Sequence, residues 1–367
     1  MKQFQFLVFI IIISFNSCKQ QDSKLEKKTT SASASDTNTL SCEKTPSRFA
    51  TKVAAPEGMV WIPGNEFMMG TDEEEAYAPE KPSHPVRVNG FFMDVTEVTN
   101  TQFKKFVDAT GYVTIAEKKP DWNQIKKQVP PGTPKPTEAE LIPASLVFTP
   151  PNHKVTEDDI FQWWSFVPGA DWKHPEGPKS NITDRMNHPV VQIAYDDALA
   201  YCKWAKKRLP TEAEWEFAAR GGLAQKRYAW GDQFKCDGKI MANTFQGKFP
   251  EGGIAEDGFK TTSPVESFPA NGYGLYDMIG NAWEWCADWY DADYYKKIDK
   301  NKTLDNPKGP EKWYDPSEPY AIKRVTKGGS FLCTDNYCTN FRPAARRGTA
   351  YDSGASHIGF RCVQDKK

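Results

Sequence analysis

The chain has 367 residues, a formal net charge of -1 and 39% hydrophobic residues. That balance removes the electrostatic case for nucleic acid or an anionic membrane surface as partner, and it leaves enough apolar material for a sizeable core in one or two domains. With 25 Gly, 27 Pro and 12 Trp, the composition argues against a helical bundle or regular repeat and for a loop-rich fold with aromatic packing.

The N-terminus reads as a targeting segment. Lys2 precedes the apolar stretch Phe6 to Phe15, which is too short to span a bilayer as a mature helix. Asn16-Ser17-Cys18 follows, so residues 1–18 resemble a bacterial lipoprotein signal in which Cys18 is acylated, with Phe15 where Leu is usual. An ordinary cleaved signal peptide is the alternative. Either way the chain is expected to be exported, and with lipidation it is anchored in the cell envelope, facing the periplasm or the surface. Residues 19–56 are rich in Lys, Ser, Thr and Asp and read as a flexible tether.

One folded domain is expected over residues 57–367. Met59 to Ile62 reads as a buried strand ending at the Pro63-Gly64 turn, and His84 to Val88 alternates as a second strand. Thr99 or Asn100 can cap a helix whose Phe103, Phe106 and Val107 form one apolar stripe and which stops at Gly111. Residues 119–160 are rich in Pro and Lys and read as a surface excursion without assigned structure. A second helix is expected over Asp196 to Trp204. A third starts at Thr211, where Glu214 completes a capping box, and stops at Gly221-Gly222. No long helix is expected beyond residue 225.

The order of motifs then carries a resemblance. Gly58-Met59-Val60-Trp61-Ile62-Pro63-Gly64, Asp94-Val95-Thr96-Glu97-Val98 and Trp172-Lys173-His174-Pro175-Glu176-Gly177 come first. Arg208 to Gly222, Asn271-Gly272-Tyr273-Gly274-Leu275-Tyr276-Asp277 and Gly280-Asn281-Ala282-Trp283-Glu284-Trp285 follow. Gly328-Gly329-Ser330-Phe331-Leu332-Cys333, Tyr337-Cys338 and Gly359-Phe360-Arg361-Cys362 close the series. Together they resemble the formylglycine-generating enzymes, the sulfatase-modifying factor family. The resemblance implies an irregular α+β fold, low in regular secondary structure and related to C-type-lectin-like folds. It also implies an activity, the oxidation by O2 of a cysteine in a sulfatase Cys-x-Pro-x-Arg motif to formylglycine.

Cys333 and Cys338 are five positions apart. Spacing alone leaves two readings open, a short-loop disulfide favoured by an oxidising compartment and a soft two-thiolate site suited to Cu(I). The resemblance implies the second, with Cys333 and Cys338 as catalytic copper ligands and Ser330 beside an oxygen pocket. A turn hydroxyl is the plainer role for Ser330. The resemblance further implies a disulfide between Cys202 and Cys362. That leaves Cys236 and Cys286 able to pair with each other, and Cys42 then single.

Two structural Ca2+ sites are implied by the same resemblance. One uses Asn243 and Asp257 side chains with carbonyls of Thr244 and Phe259; the other uses Asp277 and Glu284 with carbonyls of Gly280 and Ala282. Asx turns and solvated carboxylates are the alternatives from the residues alone. An unfolded sulfatase segment needs an aromatic-lined groove and an acid for its Arg, for which Glu97, Asp121 and His357 are the candidates. Trp122 and His357 depart from the family pattern there.

Three other readings compete. A non-catalytic lipoprotein of the same fold, acting as a scaffold in a cell-envelope machine, would lack the cysteine pair. An iron-dependent sulfoxide synthase needs a three-His site, and the five His here form no ligand motif. A lectin-like module would bind without turnover. The expected protein is a monomer whose only membrane contact is its lipid anchor.

Overall fold

In the structure, a computed structural model, the two ends of the domain meet in one sheet. Residues 53–156, 159–335 and 337–366 are described; the expected signal segment, Cys18, Cys42 and nearly all of the tether lie outside them. Strand Met59–Ile62 pairs antiparallel with Phe91–Asp94, and Val363–Asp365 pairs antiparallel with the other edge of Phe91–Asp94. Strand His84–Val88 has the expected bounds because its alternation is real: His84, Val86 and Val88 are buried. It pairs with Asn65–Met69 and, in parallel, with Leu304–Asp305.

Local chemistry sets the helices. Helix Asn100–Thr110 begins at a capping box between Thr99 and Gln102 and ends at Gly111 with φ 66°, a left-handed turn that glycine adopts at little cost. The second helix runs Tyr195–Ala205. At its start the Asp197 carboxylate accepts the Ala194 N–H at 3.0 Å. Helix Glu212–Ala219 carries the expected Thr211–Glu214 box.

The excursion at 119–160 is more ordered than its composition suggests. It holds a short helix, Trp122–Ile125, and a strand, Ala144–Phe148, paired antiparallel with Trp164–Pro168. Ser145 anchors that strand: its buried hydroxyl is shared between two acceptors, Gln192 Oε1 at 2.5 Å and the Gly354 carbonyl at 3.0 Å. The hairpin thereby becomes a wall of the site described below.

A four-stranded sheet forms the floor of the domain, in the order Arg347–Ala350, Lys323–Lys327, Trp283–Trp289, Ile358–Gly359. Trp283, Trp285 and Cys286 are all at most 1% exposed. Asp288, on the same strand, accepts the Glu212 N–H at 2.8 Å and so caps the last helix from a distance. Burial, and then the Glu212 carboxylate, push Asp288 up from 3.8 to about 8. The folded chain therefore keeps a proton that the unfolded chain releases near 3.8. The stabilisation from this group is complete below that value and is lost as pH rises towards about 8. Melting temperature should fall as pH rises from about 4 to about 8, and Asp288→Asn, which keeps an acceptor, should flatten that fall. An identical slope in the variant would reject this assignment.

Candidate active site

The segment that carries Cys333 and Cys338 leaves strand Lys323–Lys327 through two glycines with φ of 94° and 76°. A Cβ at Gly328 would lie 3.0 Å from the Trp215 ring, and one at Gly329 would lie 3.0 Å from Phe341 Cα. Glycine is thus required here by both conformation and space. Beyond them the Ser330 hydroxyl accepts the Leu332 N–H at 3.2 Å and the Ser330 carbonyl accepts the Cys333 N–H at 2.9 Å, forming a tight turn. Reciprocal backbone bonds between Thr334 and Cys338, 3.1 and 3.0 Å, fold the loop back on itself.

This folding brings the two sulfurs to 3.3 Å. They are not joined, since a disulfide holds its sulfurs at about 2.05 Å. Both side chains are buried, Cys333 at 2% and Cys338 at 6% exposure. They sit in a cavity of about 30 Å³ with Ser330, Trp164, Phe249 and His357 in its walls, room for about one water-sized molecule. The Phe249 and Tyr337 rings stack with centroids 4.4 Å apart, and Trp164 lies 4.8 Å from the His357 ring. Burial, and then the Arg347 charge, hold His357 well below the ordinary imidazole value, so the ring is neutral. Ser330 is a turn hydroxyl and also lines this small cavity.

Three of the four residues of the first calcium-type set are hydrogen-bonded together, and Gln246 Nε2 donates to both the Thr244 carbonyl and Asp257. Asp257 accepts the Thr244 N–H at 3.1 Å and the Phe259 N–H at 2.9 Å. Asn243 donates to the Thr261 carbonyl at 2.9 Å, while its Oδ1 is buried without a hydrogen-bond partner, as a cation ligand would be. The second set is joined to it: the Asn243 carbonyl accepts the Asn281 N–H at 2.8 Å, and a Cβ at Gly280 would lie 2.3 Å from that same carbonyl. Glu284 in this set already accepts from Arg361 twice at 2.8 Å and from the Trp215 indole at 2.7 Å. Burial pushes Asp277 up to about 6. Among the described residues no three Cys, His, Asp or Glu side chains gather as a metal cluster, so carbonyl and amide oxygens would supply most of either shell.

The three expected groove residues do not share one surface. Asp121 is exposed and caps the short helix through its bond to the Asn123 N–H, 2.8 Å. It lines a cavity of about 520 Å³ together with Glu140, Asp196, Asp352 and the apolar Ile142 and Phe166. Glu97 lies elsewhere, fully buried, accepting from Asn281 at 3.1 Å and facing Arg361 at 3.8 Å. It is a core carboxylate and touches no groove. His357 belongs to the thiol pocket.

Residues 45–366 match the sulfatase-modifying factor enzyme 1-like domain. The chain belongs to the formylglycine-generating enzyme family. It is 47% identical over 312 residues to the formylglycine-generating enzyme of Thermomonospora curvata, covering 84% of this chain and 94% of that one. For the Mycobacterium tuberculosis enzyme of the same name the identity is 48% over 310 residues, covering 84% and 97%. A mouse relative described as an inactive Cα-formylglycine-generating enzyme 2 is 38% identical, covering 84% and 86%. Among solved structures, PvdO from Pseudomonas aeruginosa superposes with a TM-score of 0.54 at 22% identity, covering 84% of this chain and 94% of that one. The fold is therefore the irregular α+β, C-type-lectin-like architecture expected from the sequence.

Within this family fold the remaining cysteines sort by position. Cys202 and Cys362 face each other across helix Tyr195–Ala205 and the C-terminal segment, with sulfurs 3.3 Å apart and unlinked. The expected Cys236–Cys286 pairing is not present. Cys286 is a free thiol, fully buried in the central strand, whereas Cys236 is disulfide-bonded. Cys236 is half-buried in the short strand Lys235–Cys236, whereas Cys286 lies among the fully buried side chains of the central strand.

Two site features had no signal in the sequence. Arg342 makes two 2.9 Å bonds to Glu80, 262 positions away, pinning the chain just after the cysteine loop. Asn340 donates to Cys338 Sγ at 3.1 Å.

Proposed function

We propose that this chain converts a cysteine of a sulfatase polypeptide into formylglycine, using O2 and a copper ion held by Cys333 and Cys338. The observation that carries the reading is that Cys333 and Cys338, with sulfurs 3.3 Å apart, both line a small aromatic pocket, which sets them apart from the equally close Cys202 and Cys362. Their donor chemistry fits Cu(I): two soft thiolates suit its low coordination number. Copper, when bound, supplies the one-electron and O2 chemistry.

The chain's own residues supply the rest. The Gly328-Gly329 turn and the Thr334–Cys338 bonds hold the sulfurs side by side, so little ordering remains for metal binding. Trp164, Phe249 and Tyr337 keep bulk water away from the reacting sulfur. Ser330 sets the turn and presents its oxygen to the pocket. A Cys-x-Pro-x-Arg segment is served by the larger groove, whose apolar walls suit Pro and whose Asp121, Glu140, Asp196 and Asp352 suit Arg. The match to the sulfatase-modifying factor domain and the relatives named formylglycine-generating enzymes support a sulfatase as the partner. The protein acts as an exported monomer anchored through Cys18.

The test is aerobic incubation of the Cu(I)-loaded protein with a Cys-x-Pro-x-Arg peptide, read by mass spectrometry. The account expects the cysteine CH2–SH replaced by an aldehyde, trapped by a hydrazine probe. A peptide left unmodified, or linked only through a disulfide, would favour the non-catalytic scaffold reading, and one relative is itself described as inactive.

Ca2+ serves as a structural ion in this reading. The partnerless Asn243 Oδ1 fits it at the first site, and the Asp277 side chain with the carbonyls of Gly280 and Ala282 would hold it at the second. Chelation should lower the melting temperature and Ca2+ restore it, the gain following the bound fraction, about 2.7 kcal/mol at a hundredfold excess over Kd. Identical melts with and without chelator would remove the ion from the account.

The Cys202–Cys362 pair is proposed to close as a disulfide after export. It would span 160 positions, giving about 5 kcal/mol by chain entropy as an upper-end value. Reductant should lower the melting temperature of the oxidised protein by more than that of a Cys202→Ser, Cys362→Ser double variant, which keeps only the Cys236 disulfide to lose. Equal sensitivity in both proteins would reject the bridge.

A further inference from the structure

We propose that Asn340 is a positioning residue for the Cys338 sulfur, holding it by an amide hydrogen bond in the place and electronic state that Cu(I) requires. The inference rests on the copper reading above and extends it to a group outside the two ligands.

Three observations carry it. The Asn340 Nδ2 lies 3.1 Å from Cys338 Sγ, a normal length for a donor to sulfur. The side chain is 5% exposed and its Oδ1 is buried without a hydrogen-bond partner, so the donor end alone accounts for its orientation. An amide turned the other way would set an oxygen lone pair against an anionic sulfur. Finally, the backbone on both sides is fixed. Cys338 is tied to Thr334 by two bonds, 3.1 and 3.0 Å, and Arg342 is clamped on Glu80 by two bonds of 2.9 Å. Between them Phe341 stacks on Tyr228 with centroids 5.8 Å apart. The amide is therefore aimed before any metal arrives.

An N–H donor on a thiolate stabilises its anionic form and draws electron density from it. Partners of this kind orient the ligand and tune the metal, and losing one costs about ten- to a hundredfold in affinity. The two sulfurs are consequently unequal ligands, with the amide-bonded Cys338 the weaker electron donor.

The test is anaerobic competition for Cu(I) between the full chain and a chromophoric chelator, with the ultraviolet sulfur-to-copper absorption recorded. Asn340→Leu keeps the shape and removes the donor; Asn340→Asp keeps the shape and reverses the polarity. Both should bind Cu(I) about ten- to a hundredfold more weakly, with a shifted absorption band and near-ultraviolet circular dichroism like that of the unsubstituted protein. Unchanged affinity and band in the variants would overturn the role of Asn340 and leave the copper reading standing. Failure of the unsubstituted protein to bind Cu(I) would overturn both. Should both variants misfold, the Asn340 side-chain amide resonance of the unsubstituted protein decides: it should move on Cu(I) loading, and a fixed resonance would reject the contact.

Discussion

Cys333→Ser and Cys338→Ser are each expected to reduce peptide conversion at least about a thousandfold, equivalent to about 4 kcal/mol of barrier. Serine keeps the shape of cysteine but offers a hard oxygen in place of a soft sulfur, and Cu(I) discriminates strongly between the two. Position matters as much as chemistry. The sulfurs reach 3.3 Å only because the Gly328-Gly329 turn passes under Trp215 and Phe341 and the Thr334–Cys338 bonds close the loop. A hydroxyl at either place is small enough for the loop to keep this form. Melting temperatures should therefore stay close to that of the parent while turnover disappears. A variant that melted normally and still converted peptide would show that the sulfurs are not the metal ligands.

The largest stability effect is expected at Arg361. Its guanidinium is fully buried and bonds Glu284 twice at 2.8 Å, the Tyr276 carbonyl at 2.8 Å and the carbonyls of Asp94 and Val95 at 3.2 Å. It ties the first sheet, the central sheet and the second calcium-type loop together. Glu97 and Asp277 face the same cation, and burial raises both carboxyls. Removing the one positive charge leaves this cluster uncompensated, and Arg361→Ala should cost about 3–5 kcal/mol in denaturant unfolding. Arg361→Lys should recover little, because an ammonium cannot reproduce the two-pronged contact. Adding Glu284→Gln to Arg361→Ala should cost less than the sum of the two changes, since the partners share one interaction. Additive losses would show that the pair is not the unit of stability described here.

Sequence reading succeeded where structure is set locally. The Thr211–Glu214 box, the Gly111 stop and the alternation of His84 to Val88 each depend on neighbours within four positions. The fold class and the cysteine loop were legible through an ordered set of motifs, not from any one of them. Contacts across long separations were hidden. Strand Ala144–Phe148 is a five-residue run among prolines, and it becomes a strand because Trp164–Pro168 and Gln192 come to meet it. Glu97 sits in a motif that marks importance without stating direction, and the side chain turns to Arg361 in the core. The sequence leaves a Cys236–Cys286 pairing open because it gives no distances; Cys286 is in fact a free thiol buried in the central strand.

The central claim is that Cys333 and Cys338 together bind one Cu(I). X-ray absorption at the copper edge of the anaerobically loaded protein addresses it directly. The account predicts two sulfur scatterers in the parent and loss of sulfur ligation in each of the two serine variants. A spectrum fitted by nitrogen and oxygen alone, or one unchanged by either substitution, would contradict it.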